Sequence, residues 1–583
     1  MHTKDKHLGY FLDYNTWKDA YNLLEIQLGQ KNSNRHYESL SMCYYDKLDL
    51  KRSSYSSDIF FNNFIKTDII FLVRNIFFVY WYAVPKIDLS LRDRAFYSYP
   101  ARLLHYALGL YLLKMSQDFL NEPFVKKPNI KSYYGASIFY ASGKLIAKPE
   151  DLYFKKFYQE FRAQIKKELK DDLSNKVVMK FDIENYYYQF PMDKLLQYLN
   201  TSIKPSIKSK FKFDNNTTNI IKFFYGLISK KDNKIPVTDN DVIGRLISHL
   251  YLIFADIRIN DIITSYSSID SCSIIRYVDD YYISITFNNA LSDEDKSFHL
   301  HRLFEQIADI LHKEFTLYLN NKTEVYWLHK DDDKEKLRTN LKKVSNRIPM
   351  STSEIDDDIQ LSEEELCNLK LDAALNEIER LKFSGDEFIY EDRFLIHEEI
   401  LKNIYDTRVD QLLNKPENIV RLRECFTGFN FNIVRKSPDE LLAYILKDTQ
   451  IKSAFRDYLL KINNITSNDT GMILNYLSKV DLDDTDLMNI LRPDHTLADI
   501  IQSIDNSTTV LTESGHFNVK IEDIKHIRDI YSAIEQSKMR ETEENHRRFS
   551  VALNHLLNEI HVRCMQFETI KRDNFEVNNG MSF

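Results

Sequence analysis

The decapeptide RYVDDYYISI (residues 276–285) sets two adjacent aspartates between runs of β-branched and aromatic residues. Both flanks carry strand propensity, so the pattern predicts a tight hairpin with Asp279 and Asp280 at its tip. A plain solvated turn is the simplest reading of two acids side by side. Turn chemistry at such a place favours Asn-Gly or Asp-Gly, however, and this turn has no glycine. Two neighbouring carboxylates repel, and one is driven toward protonation unless a cation neutralises the pair. The stretch therefore calls for a metal and for a further acid brought from elsewhere in the chain.

A chain of 583 residues holds two to four domains and a sizeable core. With 13% aromatic residues and only 12 glycines, collagen-like, linker-rich and disordered classes are excluded. The cysteines (Cys43, Cys272, Cys367, Cys425, Cys564) stand far apart with no metal-knuckle spacing. Together with the lack of a signal peptide, that leads to the expectation of reduced thiols in a cytoplasm. The most apolar stretch, DIIFLVRNIFFVYWYAV (68–84), is interrupted by Arg74 and Asn75, so a buried helix is expected there and no membrane anchor. The net charge of −8 is unlike that of proteins gripping long nucleic-acid duplexes, whose affinity comes from a basic surface.

Along the chain, residues 1–120 read as an N-terminal segment of polar loops followed by apolar helix. Residues 121–345 combine a basic, aromatic patch holding Lys144 and Lys148 with strands and helices in alternation. The segment 241–262 has helical periodicity with one buried face. Beyond the acidic stretch RIPMSTSEIDDDIQLSEEEL the pattern is amphipathic helix, which suggests a helical-repeat region over 346–500 and a helical C-terminal domain over 501–583. The fold class expected is α+β with an all-α C-terminal part.

A second acid, Asp182 in KFDIENYY, lies upstream of the hairpin at the end of a predicted strand. The order strand with acid, helix, acidic hairpin, helix, strand resembles a split β-α-β palm. Nucleotidyl transfer uses two divalent ions held by carboxylates from separate strands, one activating the attacking hydroxyl and one steadying the leaving pyrophosphate. These strings resemble the reverse-transcriptase motifs. FDIENYYYQF (181–190) is similar to motif A, with Asp182 a metal ligand and the Ile183 carbonyl beside it. YVDD (277–280) is similar to motif C, with Asp279 the main ligand and Asp280 its neighbour. IPVTDNDVIGRLISHLY (235–251) stands in the place of motif B, and LYLNNKTEVY (317–326) resembles the motif after the palm's last helix, with Lys322 near the nucleotide phosphates.

The resemblance implies catalytic Asp182, Asp279 and Asp280, with Mg2+ (or Mn2+) as cofactor and dNTPs as substrates. It makes Tyr187 the steric gate that crowds a ribose 2′-hydroxyl, against the alternative of an ordinary core tyrosine. Arg245, Lys144 and Lys148 are further candidates for nucleotide contacts, against the alternative of solvated charges. Motif B departs from the family pattern, because Pro236 is followed by Val-Thr-Asp-Asn-Asp and glycine comes only at Gly244, which bears on template handling.

The acidic linker and long helical region resemble the abortive-infection (Abi) reverse-transcriptase-like polymerases of bacterial phage defence, of AbiA/AbiK type. That resemblance implies template-independent DNA synthesis primed by a hydroxyl of the protein itself and leaving a covalently attached single-stranded DNA. Tyr55, Tyr44 and Tyr45, in the polar N-terminal stretch, are the priming candidates, Tyr55 foremost because RSSYSSD reads as a loop. AbiA relatives end in a HEPN ribonuclease-type bundle, and Arg540 and His546 in KMRETEENHRRF have the matching spacing. The alternatives are a templated polymerase of retron or intron type and a HEPN-type RNase toxin with a regulatory palm. Homo-oligomerisation is left open.

Overall fold

The computed structural model describes residues 7–491 apart from 30–40, 43, 44, 46, 47, 49, 73–76, 86–90, 123, 153, 171–172, 230–233, 239, 321–322, 347–361, 383–395 and 481–483. Within those bounds the chain is mixed α+β. Helix Tyr14–Gly29 is followed by a hairpin of β1 (Val79–Pro85) and β2 (Leu91–Tyr97), and then by the long helix Tyr99–Leu120. A buried helix was expected over 68–84, but Val79–Val84 is strand. An unbroken run of valine and aromatic residues followed by Pro85 suits an extended segment, and without period-2 alternation it gives no sign of which element it forms.

The central sheet carries the site. Its strands are β3 (Ile130–Tyr133), β6 (Lys176–Asp182), β7 (Ile269–Tyr277), β8 (Asp280–Phe287) and β9 (Glu324–Trp327), in the spatial order β3-β7-β8-β6-β9. β3 runs parallel to β7 and every other pairing is antiparallel. A small hairpin, β4 (Phe139–Ala141) with β5 (Lys144–Ile146), stands apart. Within 317–328 the described residues form one strand, β9, and an isolated bridge from Leu319 to Ile183.

Strict alternation on β6 and β8 splits the sheet between two cores. Val177, Met179 and Phe181 join Tyr281, Ile283 and Ile285 in the main core, together with the helices Val242–Ser265 and Asp293–Lys313. Val178, Ile275, Tyr282 and Tyr326 face the other way, onto the helices Phe154–Glu168 and Asp331–Asn346 through Phe161, Ile165, Leu337 and Leu341.

The Val242–Ser265 helix is apolar around most of its circumference, as befits a helix buried on all sides. Asp241 caps it by accepting from the Gly244 amide at 2.8 Å. The helix meets Tyr99–Leu120 closely: a Cβ on Gly109 would come within 2.2 Å of Ile243 Cγ2, so only glycine lets the two backbones approach this far.

Residues 363–491 are helical where described, from Glu363–Lys382 to Thr485–Leu491, in keeping with the expected all-α region. Helix Ser467–Lys479 packs against β1, so the C-terminal helices dock on the N-terminal hairpin. Among the described residues no helix is long and apolar enough to cross a membrane.

Candidate active site

Register brings the acids together. Asp182, the last residue of β6, pairs directly with Asp280, the first of β8, and Tyr277 pairs with Asp280 to close the hairpin over Val278 and Asp279. The two-residue turn is as tight as the sequence implies, and Val278 takes the glycine's role in it with φ +53°. A β-branched residue in the left-handed region costs on the order of 1–3 kcal/mol and persists only where its surroundings fix it. Here both of its backbone groups are held: the Val278 amide donates to the Tyr133 carbonyl at 2.8 Å, and Arg276 Nη1 donates to the Val278 carbonyl at 2.7 Å.

Like charges placed opposite each other on a sheet destabilise it. Burial, with Asp280 and Asp182 adding repulsion, pushes the Asp279 carboxyl up to about 8. Asp280 is pushed up to about 6 by burial and by Asp182, with Lys180 pulling the other way. Lys180 is itself engaged by Glu324 at 2.8 Å. Asp182 is also fixed through its backbone, since its carbonyl accepts from the Asn320 amide at 2.8 Å, while Ile183 bridges to Leu319 and is buried.

Among the described residues no group of three or more His, Cys, Asp or Glu side chains forms a ready-made metal cage. Magnesium is usually held by one or two carboxylates together with substrate phosphates and water rather than by an all-protein cage. Asp182, Asp279 and Asp280, hard oxygen donors whose mutual repulsion a cation would relieve, fit that mode of binding.

Tyr187 is half-buried beside the acids. Burial and the charge of Asp279 raise its hydroxyl well above the usual phenol range, while Arg245 and a hydrogen bond with Ser248 work against the shift. The Tyr186 hydroxyl donates to the Ser248 carbonyl at 2.9 Å, which ties the turn after β6 to the Val242–Ser265 helix. Arg245, on that helix, also acts electrostatically on Tyr106, Tyr134 and Tyr277. Among the described residues it has no carboxylate partner, and its Nε is buried without an acceptor. The fold therefore brings Asp182, Asp279, Asp280, Tyr187 and Arg245 into one neighbourhood.

Other candidates stand elsewhere. Lys144 on β5 and Lys148 just after it are exposed. Lys322, Tyr44, Arg540 and His546 lie outside the described residues. The polar, loop-like setting expected for the priming tyrosines is corrected at two of them. Tyr45 is fully buried, and its hydroxyl donates to the Tyr97 carbonyl at 2.8 Å. Tyr55 ends the helix Leu50–Tyr55 half-buried, edge-on to Phe60 and packed on Tyr99. Their aromatic rings found core partners that a polar local sequence does not reveal.

Sequence reasoning missed two buried polar clusters. Beneath the hairpin, Arg276 and Asp256 form an ion pair, each at most 1% exposed. At the start of the Val242–Ser265 helix, His105 Nε2 contacts Asp241 Oδ2 at 3.1 Å and Arg102 Nη2 lies 3.9 Å from Oδ1. Arg102 Nη1 donates to Thr238 at 2.8 Å, and His105 Nδ1 stands 3.0 Å from the Tyr225 hydroxyl. Burial alone would raise the Asp241 carboxyl, but His105 and Arg102 hold it well below the usual range. The only signal in the sequence was the presence of charged residues on otherwise apolar helix faces.

No family model matches the chain, and no curated protein does. Among solved structures it is similar to telomerase from Candida albicans in complex with a fragment of telomeric RNA, at 11% identity and a TM-score of 0.26, covering 74% of this chain and 65% of that one. It is also similar to apo telomerase from Candida tropicalis, at 11% identity and a TM-score of 0.29, covering 73% and 67%. The match thus spans just under two thirds of the first telomerase chain.

Proposed function

We propose that this chain is a nucleotidyltransferase of the reverse-transcriptase kind, a DNA polymerase that joins dNTPs to a hydroxyl primer. The observation that carries the reading is the direct pairing of Asp182 with Asp280, with Asp279 in the adjoining turn, on strands bearing FDIENYYYQF and YVDD. Mg2+ held there by Asp182, Asp279 and Asp280 would supply Lewis-acid activation of the attacking hydroxyl and neutralise charge on the leaving pyrophosphate. The chain's own contribution is placement. The β6–β8 register presents two carboxylates side by side, and the Val278 turn adds the third. Tyr187, close enough to Asp279 to feel its charge, would crowd a sugar there, and Arg245 would offer a guanidinium for phosphate oxygens.

The finer reading is template-independent synthesis primed by the protein itself, acting in phage defence as the Abi resemblance implies. One feature of the fold favours it over templating. Val237, Thr238 and Asp241, in the stretch where templated reverse transcriptases carry a glycine for template packing, are tied down. The Val237 carbonyl accepts from the Ala95 amide at 2.7 Å, Thr238 from Arg102, and Asp241 is clamped by His105.

The deciding experiment incubates pure protein with Mg2+ and labelled dNTPs without nucleic acid. Label that travels with the protein on a denaturing gel supports self-priming. Incorporation only on an added primer–template supports the templated alternative, and no incorporation under either condition overturns the polymerase reading.

A further inference from the structure

Asp256, near the middle of the Val242–Ser265 helix, is 1% exposed yet carries a carboxylate surrounded by donors. Arg276 Nε lies 2.8 Å from its Oδ1 and Arg276 Nη2 2.7 Å from its Oδ2, a two-pronged pair. The Tyr281 hydroxyl donates to Oδ1 at 2.8 Å and Ser132 Oγ to Oδ2 at 2.6 Å. Strands β3, β7 and β8 thus each send one side chain to a single carboxylate on the helix behind them. Arg276 still has a free prong. Its Nη1 reaches past the end of β7 to the Val278 carbonyl, while Nη2 also stands 3.4 Å from His249 Nδ1.

The hydrogen bond to the Val278 carbonyl bears on the site. Val278 is the residue in the left-handed conformation, and Asp279 follows it directly. A valine there relaxes toward negative φ unless both its peptide groups are held. Such relaxation would swing the next side chain, Asp279, away from Asp182 and Asp280. The helix that anchors Arg276 through Asp256 also carries Arg245 and the Ser248 that meets Tyr187, so one rigid element sets both halves of the candidate site.

We propose that Arg276, locked by Asp256, is a positioning residue that holds the Val278 turn in its strained form and thereby aims the Asp279 carboxylate. Retention of this buried pair, where an apolar pair would pack as well, then has a reason in geometry rather than in stability. The proposal rests on the polymerase reading above for its activity readout, but not for its cation readout.

The test compares Arg276→Lys with the double variant Arg276→Lys/Val278→Gly, in nucleotide incorporation and in Mn2+ affinity measured by electron paramagnetic resonance without nucleotide. Lysine keeps the charge but cannot reach Asp256 with two prongs and Val278 with a third. Arg276→Lys is expected to lower kcat by about 10- to 100-fold with KM for dNTP nearly unchanged, and to weaken Mn2+ binding about 10-fold. Glycine adopts positive φ without strain, so Val278→Gly in that background should recover at least about half of each loss on a logarithmic scale. Glycine also removes the strain stored at Val278, so thermal melts of both variants accompany the assays, which are run well below either midpoint.

Unchanged kcat and Mn2+ affinity in Arg276→Lys, or losses that Val278→Gly leaves untouched, overturn the proposal. If the wild-type protein incorporates no nucleotide, the polymerase reading falls while the Mn2+ comparison still decides this one. Should Arg276→Lys fail to fold, Tyr281→Phe removes one hydrogen bond from Asp256 while keeping the ring. It should then show the same pattern with a smaller loss, and wild-type behaviour in it overturns the proposal.

Discussion

Asp182 and Asp280 stand directly opposite each other at the ends of β6 and β8, an antiparallel pair of acids with a third, Asp279, in the neighbouring turn. Three buried carboxylates elsewhere among the described residues have cationic partners: Asp241 has His105 and Arg102, Asp256 has Arg276, and Asp410 has Lys447. At the strand ends, Lys180, which pulls on Asp280, is already bound to Glu324, and Arg276, which pulls on Asp279, is already bound to Asp256. Repulsion among three carboxylates gathered at one end of the sheet is what a bound cation would relieve.

Asp279→Asn should therefore act in opposite directions on stability and activity. Without divalent ions, loss of one repelling charge raises stability by on the order of 1 kcal/mol. Nucleotide incorporation should fall by about 100-fold or more, since a metal ligand carries several kcal/mol of the barrier. Thermal melts with and without Mg2+ check the first part: the wild-type protein is expected to gain more from Mg2+ than the variant. Retained incorporation with ordinary Mg2+ dependence would remove Asp279 from the site.

Tyr187→Ala tests the sugar gate. The ring is half-buried and feels the charges of both Asp279 and Arg245, and its loss opens space without removing a charge. Relief of a steric clash in a pocket changes discrimination by about 10- to 200-fold. The variant is expected to accept rNTPs better by a factor in that range while still using dNTPs. Competition between the two sugars at equal concentration reads it, and an unchanged ratio would make Tyr187 a packing residue only.

How legible all this was in the sequence varies by element. The hairpin and β6 were readable because β-branched and aromatic residues fill strands that are buried on both faces, and the acids interrupt the run where the strands end. The stretch Val79–Val84 misled because an apolar run with no alternation is compatible with helix or strand. Tyr45 misled because its partners, Phe96, Tyr97 and Tyr99, come from over 50 residues away. The same holds for Arg102, His105 and Asp241, which are 136 or more residues apart in pairing. Local sequence shows that a charge sits on an apolar face, and only tertiary structure shows which opposite charge meets it.

Gly244 provides a test of that cluster. A Cβ there would lie 2.3 Å from Asp241 Oδ2, the oxygen that His105 holds. Gly244→Ala must displace the carboxylate from its amide cap and its cationic partners. Uncoupling a buried ion pair costs about 3–5 kcal/mol, so a large drop in the denaturation midpoint is expected. Gly29, which ends its helix with nothing within 4 Å of the added methyl, is the control. Gly29→Ala should be neutral or stabilising by up to about 1 kcal/mol. Equal effects at the two glycines would contradict the clamp.

The helical region supplies a pH prediction far from the acids of the sheet. Glu440, on helix Pro438–Ile445, is buried with its carboxylate accepting from Ser437 Oγ at 2.9 Å. Burial, reinforced by Asp439 and Glu398 and opposed by Lys402, pushes its carboxyl up from 4.5 to about 7. The native state thus holds this proton more tightly than the unfolded chain does. Its contribution is fully present below about pH 4.5, is lost as pH rises toward 7, and stays lost above that. Glu440→Gln, which keeps an oxygen for Ser437 and carries no charge, should remove this slope. At pH 8 the variant is expected to be more stable than wild type by up to about 3 kcal/mol, and near pH 5 the two should converge. Urea midpoints across pH 5–8 measure it, and parallel curves for the two proteins would show that Glu440 does not titrate in this range.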